Sequence, residues 1–438
     1  MSSEKKPLAF LSRYPLGDRA TFGFDAPAAA CVGVFNGLSI TFIGIIGRKI
    51  GLDSHMLAIL SISAFVGLFF NVWIGHLSAK GHVEAWVLVP SLIARFLVGL
   101  ALVHISPWLY LGIMSAYNVV SSFGGPAYAS IMRSNYSDRY RGELMGYIRV
   151  LIQVTTAISA AFAGWLMEAL PDSQRLLFPV AAVFGIASSL LFFRIKIRPA
   201  EDSGRSEDGA RGKADRGALG LGAKAEGGGF VAAIREIAQD RRFMVYMAIY
   251  FVIGFPDKIV VPLEPIRFVD ELGMTYAEAG IIQGSIPFIG ALLGYLVYAK
   301  TSDRADPFLA LLVTTLLSST RYLNTALAGN AVQLIPGAFL NGASNAGWDL
   351  IPIFSLMLFG RGKNLGFYFG FHSTLVGLRG FIGPIVGTWL YAGLGLRIST
   401  IYLIAFCLEL AGAALLLPFW AALRRGGFGR IEAGGTEA

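Results

Sequence analysis

The sequence predicts an all-α, polytopic transmembrane protein of twelve helices, built as two similar six-helix bundles. Three observations point there: an apolar composition, a succession of long apolar runs, and polar landmarks that repeat at one offset. Of 438 residues, 55% are hydrophobic and 15% charged, with a mean hydropathy of +0.62. An average soluble chain carries about 25% charged residues. This much apolar surface exceeds what one soluble core buries, so lipid must cover the rest.

Crossing a hydrocarbon core of ~30 Å takes about 20 mostly apolar residues. Such stretches occur at 24–47, 55–75, 84–104, 107–131, 143–168 and 175–195, and again at 243–265, 276–299, 306–327, 331–359, 365–393 and 398–422. The division expected is an N-tail over 1–23, a six-helix bundle over 24–196, a linker over 197–242, a second bundle over 243–424, and a C-tail from 425. The first run holds Asp25 and Asn36 and lacks a small-residue cleavage site, so it reads as a retained helix rather than a signal peptide. The linker is rich in Gly, Ser and charge and reads as disordered, except near 230–242. There Phe230, Ile234 and Ile237 share a face, as in a short amphipathic helix at a membrane surface.

Loop charge sets the orientation. With the N-terminus inside, 26 of the 36 Lys and Arg fall in inner segments and five in outer ones; without the linker the balance is still 15 to five. Both termini are therefore expected in the cytoplasm, in a cell (inner) membrane. The net charge of +8 is spread through these short loops, which argues against a nucleic-acid partner. Cys31 and Cys407 each sit in an apolar run and read as packing residues. The five histidines are scattered, and neither a GxxxxGK loop nor a Cys/His metal spacing occurs. No cofactor, metal or enzymatic activity is expected, and the chain is expected to be a monomer.

The repeat is seen in matched landmarks about 222–226 residues apart: Lys80 with Arg304, Arg95 with Arg321, Asn118 with Asn341, Gly164 and Trp165 with Gly387 and Trp389, and Arg175 with Arg397. A parallel six-helix repeat suggests two bundles about an axis along the membrane normal, with a site between them.

Here the chain resembles the major facilitator superfamily over all twelve runs. The loop after the second run, GHLSAKGHVEAW, keeps Gly75, Leu77 and Lys80 of the family's loop motif but has Ala79 in place of its acid. Its counterpart GYLVYAKTSDRADP keeps Asp303 and Arg304. The stretch PAYASIMRSNYSDRYRGELMGY is similar to the family's connection between the fourth and fifth helices. The arginine common early in the fourth helix of proton-coupled members is replaced by Tyr117-Asn118, and the Gly-Pro motif appears in the eleventh run as GLRGFIGPIVG rather than in the fifth. The resemblance implies alternating access, Gly75, Lys80, Asp303 and Arg304 in gating loops, and runs 1, 4, 5, 7, 10 and 11 around a central cavity.

A charge at the bilayer centre costs ~2.5–3.5 kcal/mol or more, so intramembrane ionisable groups mark sites or buried pairs. Asn341, Asn345, Trp348 and Asp349 fall at i, i+4, i+7 and i+8, one helical face that suits a cavity lining or a structural hydrogen-bond seam. Arg149, Gln153 and Thr156 share another face, His372 and Arg379 a third, and Asp25 and Asn36 a fourth. Neighbours on a helix point about 100° apart, so Asp257 and Lys258 are each expected to meet a group on another helix, or one of them to face the pore, with a compensating structural pair as the even alternative. Glu264 reads as solvated near the outer end, and Arg95, Arg321 and Glu409 as inter-helix pairing groups.

The expected solute ligands are Asn36, Asn118, Arg149, Gln153, Lys258, Asn341, Asn345, Trp348, His372 and Arg379, with Asp25, Asp257 and Asp349 as proton-coupling acids. Arg149, Lys258 and Arg379 favour an anionic or zwitterionic solute. The expected activity is secondary, proton-coupled transport of a small organic solute. A multidrug or lipid exporter of the same fold and a non-transporting membrane sensor or assembly protein are the alternatives.

Overall fold

The computed structural model describes residues 9–78, 83–101, 106–137, 139–195, 237–301, 306–359 and 365–425. No strand occurs among them. The helices are α1 (Leu16–Leu38), α2 (Ile43–Lys49), α3 (Ser54–Ser78), α4 (Val83–Leu100), α5 (Pro107–Ser122), α6 (Gly125–Asn135), α7 (Arg141–Ala169) and α8 (Gln174–Phe193). They continue as α9 (Arg241–Val260), α10 (Ile286–Thr301), α11 (Pro307–Leu327), α12 (Ile335–Phe359), α13 (Leu365–Thr388) and α14 (Ile398–Arg425). Each of the twelve apolar runs is helical within the described residues. Eight helical stretches are long and apolar enough by themselves to cross a membrane, and Ser54–Phe70 is a shorter apolar one. The linker, Lys80, Asp303 and Arg304 lie outside the described residues, as does the amphipathic segment before Ile237. Ile237 itself is buried with Phe243, Tyr246 and Tyr368.

Local chemistry sets the helix ends. Asp306 accepts the Phe308 N–H at 2.9 Å and Pro307 opens α11, while Asp240 caps α9 through the Phe243 N–H at 3.1 Å. Thr275 and Glu278 form a reciprocal capping box that starts the helical segment Tyr276–Ala279. This segment runs through a π-helix, Gly280–Ser285, into α10.

The chain groups into two compact units, one within Met1–Leu52, Ser63–Ala214 and Thr275–Ser285, the other within Asp53–Ile62, Asp215–Met274 and Ile286–Ala438. In the first unit, α1 packs along α7 and α8, and α4 along α5 and α8. Backbones approach where glycine removes the side chain: a Cβ on Gly33 would lie 2.4 Å from the Ile152 carbonyl, and one on Gly37 2.5 Å from the Thr156 carbonyl. The N-terminal half of α1 is held by a ladder. Asp18 accepts Ser137 Oγ at 2.5 Å, Asn135 donates to Thr21 at 3.4 Å, and Tyr136 donates to Asp25 at 2.8 Å. The helix starts at Leu16, eight residues before the apolar run, because Asp18 and Thr21 are satisfied there and need no water. Arg13 extends the ladder to Glu143 on α7.

Residues 275–285 join the first unit by lying along α7. Ser285 Oγ donates to the Ala157 carbonyl at 2.8 Å, and the Tyr276 N–H to Glu168 at 3.0 Å. Gly280 and Gly164 face each other across this seam, and a Cβ on Gly280 would stand 2.3 Å from the Ala160 carbonyl. Backbone cannot yield as a side chain can. Gly280→Leu therefore costs the upper part of the ~1–3 kcal/mol typical of overpacking. Gly146 has nothing within 4 Å of its missing Cβ, so Gly146→Ala keeps or gains up to about 1 kcal/mol. Thermal unfolding of the two purified variants in detergent should move in opposite directions.

In the second unit α11 lies between α12 and α14, and α9 between α13 and α14. Its core is aromatic: Phe243 packs edge-on against Tyr368 at 4.5 Å, and Tyr246 stacks with Phe359 at 5.2 Å.

Candidate solute site and charge network

The polar interior of the second unit is built on α9, α11, α13 and α14. Arg321, on α11, reaches Asp257 of α9 at 2.9 Å and Glu264 at 3.1 Å. Lys258 folds back to pair with Asp257. Asp257 thus meets a group on another helix, Arg321, and also forms the compensating pair with its neighbour, because the long lysine stem spans the angular gap between adjacent helix positions. The network corrects the reading of Glu264, which is not solvated but serves as Arg321's second acid. Both acids and both bases are thus compensated, as charges at this depth must be.

Arg267, one of the five basic residues counted in outer segments, is buried. Its guanidinium donates to the Ala328 carbonyl at 2.7 Å and the Thr325 carbonyl at 3.2 Å, and it pairs with Glu271. It caps the carbonyl end of α11, where a cation is favoured.

A second cluster surrounds Tyr250 on α9. The Trp348 ring of α12 meets it edge-on at 5.7 Å, and the His372 ring of α13 lies 4.9 Å away. Arg379 of α13 sits with its guanidinium carbon 5.2 Å from the same ring and donates to the Tyr250 carbonyl at 3.3 Å. Arg379 is 8% exposed, and its Nε has no partner. Gly254 makes the seat, since a Cβ there would lie 1.7 Å from Arg379 Nη1. Unlike Arg321, Arg379 forms no salt bridge among the described residues, although its charge acts on Asp257. His372 Nε2 is likewise buried without a partner. The shared face expected for His372 and Arg379 exists, and it is aimed at Tyr250.

The α12 stripe divides. Asn345 and Asp349 are exposed, Asn341 and Trp348 half-buried. Tyr295 donates to Asp349 at 2.5 Å. In the first unit, Arg149 and Gln153 are both exposed on α7, whereas Asn118 donates to Ser63 of α3 at 2.9 Å. Asp25 is 2% exposed and bound to Tyr136, while Asn36 is half-buried, so the two do not form one accessible patch. Gly75 lies within α3. Sequence reasoning missed Tyr250, an unremarkable tyrosine in an apolar run, and the role of Glu264, read as solvated near the outer end of its run.

A helical membrane chain in two units, with glycine-cut seams and charge confined to compensated or aromatic seats, is the architecture of a polytopic membrane transporter. The chain belongs to the Major Facilitator Superfamily, whose family model matches residues 26–255 and 246–430. Solved structures agree in fold. A bacterial homologue of the human lysosomal transporter Spinster, in an inward-facing, unoccupied conformation, superposes with a TM-score of 0.65 at 14% identity, covering 94% of this chain and 98% of that one. The same homologue in an occupied conformation gives 0.63 at 12%, covering 96% and 98%. A variant of the nucleoside transporter NupG gives 0.63 at 11%, covering 91% and 99%. No curated protein sequence matches the chain. It is therefore a multi-span membrane transport protein.

Removing Arg321 would strand Glu264 and leave Asp257 with Lys258 alone in contact. Breaking a buried pair costs ~3–5 kcal/mol, and here side chains that are 17–36% exposed soften the penalty. Arg321→Gln should lower the unfolding temperature in detergent markedly. Glu264→Gln should lower it less, since Asp257 still neutralises the guanidinium.

Proposed function

We propose that this protein is a secondary active transporter of a small organic anion. The observation that favours this is Arg379: a buried guanidinium with no salt bridge of its own among the described residues, set against Tyr250, whose ring also meets Trp348 and His372. A cation at membrane depth without a contacting acid is a candidate ligand site, and an arginine presents a planar fork of donors suited to a carboxylate or phosphate. The cluster of rings at Tyr250 suits a solute with a flat unsaturated body. Arg149, Gln153, Asn345 and Asp349, all exposed, extend the proposed site, with Asn36, Asn118, Lys258 and Asn341 as further members.

The two six-helix bundles alternate access to this site, driven by protons that Asp25, Asp257 or Asp349 takes up. Gly75, near the end of α3, acts with Lys80, Asp303 and Arg304 in gating at the inner side. The protein works as a monomer in the inner membrane, with both termini cytoplasmic. Export of drugs or lipids by the same fold is the second reading; the exposed polar stripe on α12 suits it less than an apolar lining would.

Uptake into proteoliposomes of a panel of radiolabelled aromatic carboxylates, with matched amines as controls, tests this reading. The carboxylates should enter, with an inward proton gradient accelerating them. Arg379→Gln should raise their KM about 10–100-fold, the ~1.5–3 kcal/mol of a charge-assisted contact. Entry of amines alone, or carboxylate uptake untouched by Arg379→Gln, would refute the anion assignment.

A further inference from the structure

Glu409 on α14 takes no part in the solute site or in the paired network, yet it is 1% exposed. One carboxyl oxygen meets Ser318 Oγ of α11, and the other has no partner. No cation is in contact with it among the described residues. The charged and titratable groups that act on it are Asp257 from α9 and Arg321 and Tyr322 from α11. Arg321 lies one turn from Ser318, but its guanidinium is committed to Asp257 and Glu264.

The Ser318 hydroxyl has a single proton for two acceptors, the Thr315 carbonyl and the Glu409 carboxyl. Ser318 Oγ carries one proton and lies 3.0 Å from the Thr315 carbonyl, which can only accept. When that proton goes to the carbonyl, the contact between Ser318 and Glu409 holds only if the carboxyl supplies a proton of its own. A bare carboxylate here would have one oxygen with no donor and no cation, at several kcal/mol in desolvation.

We propose that Glu409 is a proton-binding site, neutral while Arg321 is held by Asp257 and Glu264 and ionised when that guanidinium is released. On release the carboxyl O–H breaks, the proton leaves to water, and the electron pair stays on the carboxylate. Arg321 remains a cation throughout and becomes its counter-ion. Ser318 then turns its hydrogen from the Thr315 carbonyl to the carboxylate. The solute site can fail without affecting this chemistry; only the use of the proton to drive transport rests on the transporter reading.

Infrared pH titration of the full-length protein in phosphatidylcholine proteoliposomes, with the proton as the only ligand, tests the site without any solute. The neutral-carboxyl stretching band of the wild type at pH 7 should lose one group's intensity in Glu409→Gln. Freeing Arg321 with the double variant Asp257→Asn, Glu264→Gln should lower the midpoint of that component by about one pH unit or more, the effect of an opposite charge arriving within contact range. Ser318→Ala should keep the component but shift its frequency upward as its hydrogen bond is lost, which reads the same group should Glu409→Gln misfold. A wild-type spectrum unchanged by Glu409→Gln and by Ser318→Ala would overturn the proposal, as would a midpoint that ignores the double variant.

Discussion

The second unit depends on one guanidinium. Arg321 ties α11 to Asp257 on α9 and to Glu264 beyond it, so the positions of both segments are set by a charge that the membrane does not let go unpaired. Lys258, drawn back onto Asp257, balances the remaining charge. An apolar replacement of the same volume could hold these helices equally well. What it could not do is leave two acids and two bases able to exchange partners, which is the property a conformational cycle can use.

The first unit solves the matching problem differently. Arg95, the counterpart of Arg321 in the repeat, lies over the Phe35 ring at 4.2 Å, with its Nε unpartnered. Gly185 leaves room for its stem, since a Cβ there would be 2.5 Å from Arg95 Cδ. The repeat thus preserves the position of a cation on a helix but not its partner. Stacking on an aromatic face is weaker than a double ion pair, and the first unit places its polar investment instead in the ladder of Asp18, Thr21 and Asp25 on α1.

The helices were legible because hydropathy over 20 residues averages out local detail. Helix starts were less so. The apolar run begins at 24 and the helix at Leu16, since Asp18 is buried by loop residues more than a hundred positions away. Faces were legible by the same arithmetic: His372 and Arg379 do meet one ring. Partners were not. Helical phase says that Asp257 and Lys258 diverge, but not that a four-carbon stem can return. Nor can it distinguish Arg379, which finds only rings and a carbonyl, from Arg321, which finds two acids. Tyr250 carries no charge and lies in an apolar run, so only its neighbours disclose it.

Both arginine stems outside the paired network rest where a glycine leaves a notch, Arg379 over Gly254 and Arg95 beside Gly185. Each seat pairs an aromatic face with the space of a missing Cβ. A methyl at either position would change hydropathy hardly at all and remove no charge, yet it would evict a cation into surroundings that offer it nothing. The electrostatics of both units are therefore hostage to two of the smallest residues in the chain.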